Sequence, residues 1–144
     1  MRLVHRKKET STVYHLPGDN QLYVVGGEQK NALDAGYCFT QVRSLDMDNL
    51  KTSVIGNLQK ARRNPGVIKV EGKLYVYCGT NNKGQMHHSV EMHSLEKHGS
   101  DFEKLEVKGA AVFKDSKSFL SIQLKEEVLI FGNQYHKGVI SWNV

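Results

Sequence analysis

The chain reads as an all-β protein assembled from repeated four-stranded units. Short β-branched and aromatic runs alternate with turn residues, one strand motif recurs at a period of about 50 residues, and no stretch shows helical spacing of its apolar residues.

The recurring motif is Gln21-Leu22-Tyr23-Val24-Val25-Gly26-Gly27, matched by Lys73-Leu74-Tyr75-Val76-Tyr77-Cys78-Gly79 and by Glu127-Val128-Leu129-Ile130-Phe131-Gly132-Asn133. Leu22, Tyr23, Leu74, Tyr75, Val128 and Leu129 are thereby expected at equivalent second-strand positions, with Gly26, Gly27, Gly79 and Gly132 as repeat-structural glycines and Gly79 stopping its strand. An apolar strand precedes each copy, at Thr12–Leu16, Gly66–Val70 and Ser118–Leu124. The joining turns are Pro17-Gly18-Asp19-Asn20, Glu71-Gly72 and Lys125-Glu126. In the middle copy, Val67–Val70 and Leu74–Tyr77 flank Glu71-Gly72 as a tight hairpin would. Both runs are nearly continuous in apolar residues, which predicts a sheet covered on both faces.

Third strands follow at Cys38–Leu45 and Ser89–Leu95, with Leu45-Asp46 aligned to Leu95-Glu96. Fourth strands follow at Leu50–Ile55 and Phe102–Val107. Four strands per repeat without helices is the pattern of a propeller blade. The predicted arrangement is a partial β-propeller within one region spanning residues 1–144. Residues 9–58 and 62–110 form two complete blades, 114–144 an incomplete third, and 1–6 a possible strand of a neighbouring blade.

The chain resembles the kelch-repeat family. The likeness rests on Leu22-Tyr23-Val24-Val25-Gly26-Gly27, on Arg63 with the apolar strand that follows it, and on the roughly 50-residue period. The diglycine is intact only at Gly26-Gly27. The family's tyrosine and tryptophan places are taken by Arg43 and Leu50 in the first copy and by His93 and Phe102 in the second, and Trp142 stands in the tyrosine place of the third. The resemblance implies a module that recruits partner proteins, as a scaffold subunit of a larger assembly or as the substrate-recognition part of a ubiquitin-ligase adaptor. Lacking a BTB or F-box segment, the chain fits the scaffold reading better. Some kelch-type propellers are enzymes, so catalysis is the further alternative.

Propellers close with four to eight blades, so an open set of three leaves two apolar blade faces to be covered. The expectation is completion by further residues, by another chain, or by a homodimer in which Met1–His5 adds a strand to its partner's last blade.

Composition agrees with a globular chain: of 144 residues, 39% are hydrophobic and 24% charged. The net charge of +5 favours acidic partners, and no apolar run has the length of a membrane span. Two cysteines, Cys38 and Cys78, suit a reducing, cytoplasmic setting and read as small buried residues.

Cations recur before each first strand: Arg6, Lys7 and Lys8, then Arg62 and Arg63, then Lys114 and Lys117. Repetition would gather them into one positive rim, with Arg62 and Arg63 suited to bidentate capture of a carboxylate or phosphate. His87, His88, His93 and His98 are the densest group of possible metal ligands, but strand alternation sends His88 and His93 to opposite faces, so neither a metal nor another cofactor is expected. Nucleophile elbows, phosphate loops and paired carboxylates are missing, so no catalytic residue is expected. Tyr23, Tyr75, Tyr77 and Phe131 fall within strand motifs and read as core rather than as a base-stacking surface, which makes nucleic acid an unfavoured partner.

Overall fold

Glu71 and Gly72 adopt φ of 45° and 72°, the conformation of a two-residue hairpin turn. They join β6 (Gly66–Val70) to β7 (Lys73–Tyr77), which pair antiparallel from Gly66 opposite Tyr77 to Val70 opposite Lys73. This hairpin lies in the middle of three antiparallel sheets in a computed structural model that describes residues 8–31, 34–97, 99–106, 119–124, 127–132 and 139–143. Side chains are described for residues 11–29, 36–97 and 99–106.

The first sheet contains β1 (Lys8–His15), β2 (Gln21–Asn31), β4 (Gln41–Asp46) and β5 (Thr52–Asn57) in that order, with β3 (Asp34–Cys38) paired to the far end of β2. The second continues from β6 and β7 to β8 (Val90–Ser94) and β9 (Glu103–Leu105), and the third is β10 (Phe119–Leu124), β11 (Glu127–Gly132) and β12 (Val139–Asn143). Within each sheet, and leaving β3 aside, each strand pairs with the one before it in chain order, because short turns favour antiparallel neighbours. No helix occurs among the described residues.

Burial of alternate residues holds the first two sheets together. Tyr23, Val25, Val42 and Ile55 of the first meet Val67, Leu74 and Val76 of the second, with Leu58 and Phe102 from the connections. The opposite face of the second sheet buries Ile68, Val70, Tyr75, Tyr77, Cys78 and Val90. Its hairpin is thus covered on both faces, which is why both strands are apolar at consecutive positions. The first strands lie side by side, β6 touching β1 and β10.

The register corrects three sequence expectations. Cys38 closes β3 rather than opening one long strand to Leu45, so β3 is an additional element. Leu45 lies opposite Leu22 and His93 opposite Leu74, which makes Leu45 and His93 equivalent; Arg43 and Glu91, opposite Val24 and Val76, are likewise equivalent. Leu95 corresponds to Met47, whose N–H bonds Asn20 as that of Leu95 bonds Gly72. The longer β2–β4 connection, which carries β3, produces this offset. Leu50 occupies a turn with φ of 57° and is 73% exposed, whereas Phe102 is buried against His93.

Met1–His5, Arg6, Lys7, Lys114, Lys117, His98 and the turn Lys125-Glu126 lie outside the described residues. Lys8, Val128, Leu129 and Gly132 have their places in β1 and β11, and Trp142 lies in β12 opposite Val128.

Candidate functional site

The connection from β5 to β6 crosses the seam between the first two sheets, and a glycine lets it do so. Gly27 N–H donates to the carbonyl of Arg62 at 2.9 Å, and a Cβ at Gly26 would stand 2.3 Å from that same oxygen. Gly26 also has a φ of 55°, so both space and backbone conformation demand glycine there. Gly79 plays a similar part, since its Cβ would meet the carbonyl of Arg63 at 2.8 Å.

This close approach sends the Arg62 side chain into the seam, where it is fully buried. Its guanidinium donates to the carbonyls of Cys78 at 2.9 Å, Ser89 at 3.1 Å and Lys60 at 3.3 Å, to Ser89 Oγ at 3.1 Å, and to the Glu91 carboxylate. Glu91, equally buried, also accepts the backbone N–H groups of Gln59 and Lys60. Burial pushes the Arg62 pKa down and Glu91 pushes it back up; arginine nonetheless stays cationic. With these donors committed inside the protein, Arg62 cannot be the exposed rim cation that its position before a strand predicted.

Arg63 turns the other way but is also engaged. Its Nη1 donates to Glu28 at 2.7 Å and its Nε to Thr80 Oγ1 at 2.9 Å, and its side chain is 25% exposed. Two neighbouring arginines therefore fasten the seam. The signal for Arg62 lay in Glu91, a carboxylate set between apolar Val90 and Met92 on a strand, where an unpaired charge would be costly.

Below the same seam, Lys69 Nζ pairs with Asp19 at 2.6 Å, tying the β1–β2 turn to β6. Partial burial alone would raise the Asp19 pKa, but bonds from Lys69 and Gln21 outweigh it and hold the carboxyl below its usual range.

The histidines are dispersed. His93 is buried and stacked on Phe102 with ring centroids 4.9 Å apart, while His87 Nε2 donates to the Ala61 carbonyl at 3.1 Å. Burial, followed by the nearby Arg62 charge, lowers the His87 pKa. His87 and His88 border a cleft of about 460 Å³ with Lys60, Lys104 and Glu106. Among the described residues no three His, Cys, Asp or Glu side chains converge on a metal position. Burial pushes the Cys78 thiol up to about 12, making it a poor nucleophile, and also raises that of Cys38.

Among the described residues, the outer face of the first sheet is open to a partner. Val13, Val24, Arg43 and Val54 lie in one row across β1, β2, β4 and β5, flanked by the row His15, Leu22, Leu45 and Thr52. Val13 and Val54 are 58% and 50% exposed. In the second sheet the equivalent rows are Val67, Val76, Glu91 and Lys104, then Lys69, Leu74 and His93. There Val67, Val76 and Leu74 are buried against the first sheet, Glu91 is buried beneath the connection that carries Arg62, and His93 is buried against Phe102. One set of positions thus forms an interface in one sheet and meets solvent in the other.

No family model matches the chain, and no curated protein matches it. Solved structures do match. That of YjhT aligns with a TM-score of 0.65 at 12% identity, over 83% of this chain and 43% of its own. The chain therefore spans less than half of that protein, and at such low identity the likeness shows a shared fold alone. No helix among the described residues is long and apolar enough to cross a membrane.

Proposed function

We propose that the chain is part of a kelch-like β-propeller acting as a protein-interaction module or scaffold subunit. Three successive sheets whose first strands lie side by side support the propeller reading. The observation that carries the interaction reading is the outer face of the first sheet, apolar at Val13, Val24 and Val54 and built on the same positions that bury the second sheet. Binding through this face replaces a rim of arginines as the main contact, since Arg62 and Arg63 are occupied within the seam. The polar groups best suited to chemistry, Arg62, Glu91 and His93, lie in packing between sheets, which favours a binding role over catalysis.

An apolar-surface dye with light scattering tests the reading. The chain is expected to bind dye and associate beyond the monomer, and Val13→Lys with Val54→Lys to suppress both while changing stability by less than about 1 kcal/mol. A wild-type monomer that binds no dye would remove its support.

A further inference from the structure

The second sheet carries a cationic cleft that the fold itself does not call for. Lys60, on the connection crossing the seam, residues 86–89, which lead into β8, and residues 104–106, at the end of β9, enclose about 460 Å³. Register sets Lys104 opposite Glu91, and the Lys60 N–H bonds the Glu91 carboxylate, so both lysines are anchored beside Glu91. Glu91 does not neutralise their side chains, because its oxygens are taken by Arg62 and by the N–H groups of Gln59 and Lys60. Among the described residues no carboxylate pairs with either lysine, Glu106 in the cleft wall included. In the first sheet, Phe39, Thr40 and Val54 hold the places of His87, His88 and Lys104. The same strands thus form without this cluster, and packing does not explain it.

We propose that this cleft binds a small organic monocarboxylate, its carboxylate held by Lys60 and Lys104 and its apolar body lying against Met86 and Leu105. Two ammonium groups against the one carboxylate of Glu106 leave a single positive charge, and the buried Arg62–Glu91 pair adds none, so a monoanion balances the site. Met86 and Leu105 pack on the core cluster of the second sheet, which gives the cleft a fixed apolar wall. A space of about 460 Å³ is more than a bare ion fills and lies within the roughly 300–1,000 Å³ of small-molecule sites. His87 is committed to the Ala61 carbonyl, whereas His88 Nδ1 is shielded from solvent and has no hydrogen-bond partner among the described residues, so His88 brings a polar atom still to be satisfied. Positive potential reaches the cleft: burial lowers the His87 pKa first, Arg62 next, and Lys60 acts in the same direction. The site is separate from the outer face of the first sheet and does not depend on it.

Titration of the full chain with benzoate, acetate, benzyl alcohol and inorganic phosphate, followed by amide and histidine-ring NMR signals, tests the assignment. Benzoate should move the signals of residues 86–89 and 104–106 together. It should bind at least tenfold more tightly than acetate, which lacks the apolar body, and than benzyl alcohol, which lacks the charge. Lys60→Gln with Lys104→Gln keeps the side-chain stems of two exposed residues, so it should leave the urea midpoint in place and weaken benzoate at least tenfold. Benzyl alcohol binding as tightly as benzoate, phosphate binding more tightly than benzoate, or a double variant that binds as the parent does each overturns the proposal. So does the absence of shifts at these residues with either carboxylate. All of these outcomes leave the interaction reading of the outer face intact.

Discussion

Val24 and Val76 hold the same place in their sheets, yet Val76 is wholly buried while Val24 keeps contact with solvent. The same contrast separates Arg43 from Glu91 and Val13 from Val67. A strand motif therefore specifies pleat, direction and hydrogen bonding, but whether its apolar face becomes core depends on what stacks upon it. Where a sheet stacks, the mid-sheet polar position holds a carboxylate locked to Arg62. Where nothing described stacks, the position holds a solvated arginine.

The sharpest way to break this comparison is to truncate both polar positions. Glu91→Ala leaves the Arg62 guanidinium buried without its counter-charge and frees the N–H groups of Gln59 and Lys60, and should cost about 3–5 kcal/mol in urea unfolding. Arg43→Ala removes an exposed side chain and should change stability by less than about 0.5 kcal/mol. Equal costs would mean that the two positions are not in different environments.

A smaller difference is expected just after the apolar run of each motif, where Gly26 and Cys78 are equivalent. Gly26→Ala drives a Cβ toward the Arg62 carbonyl at a positive φ and should cost about 2–3 kcal/mol. Cys78 already adopts a φ of 54°, so Cys78→Gly relieves about 1 kcal/mol of backbone strain while losing a comparable amount of buried side chain. Its net effect should fall within about 1 kcal/mol of zero. A Gly26→Ala chain as stable as the parent would show that the crossing at Arg62 yields easily.

Most of the strand architecture was legible in the sequence. Glu71-Gly72 announced the hairpin because few residue pairs accept its turn, and consecutive apolar residues announced double coverage. The register of the third strands was not legible. It depends on the length of the β2–β4 connection, and β3 within that connection has no clear apolar alternation to mark it. That error paired Arg43 with His93 instead of Glu91 and concealed the seam. Arg62 was misplaced for a related reason: adjacent arginines look alike in sequence, and only the approach of Gly26 to the Arg62 backbone decides which one turns inward. The open face was foreseen as a consequence of stacking, though its residues and its charge reversal needed the register.

The mildest expected difference is a pH response belonging to the second sheet alone. His87 and Phe39 are equivalent, their N–H groups bonding the carbonyls of Gly79 and Gly27, but only His87 titrates. Its folded pKa is lowered by burial and by Arg62, so the unfolded chain takes up a proton more readily. The associated stability is fully present above the ordinary histidine value of about 6.5 and is lost as pH falls through the lower folded value. Between about pH 7.5 and 5, the parent should therefore lose stability by this route, and His87→Gln, which can still donate to Ala61, should lose less. The Asp19–Lys69 pair does not obscure the window, because a depressed carboxyl pKa acts only below about pH 4. Urea midpoints measured across the window separate the two chains. Superimposable pH profiles would show that His87 is hydrated in the folded protein and that its lowered pKa has no part in stability.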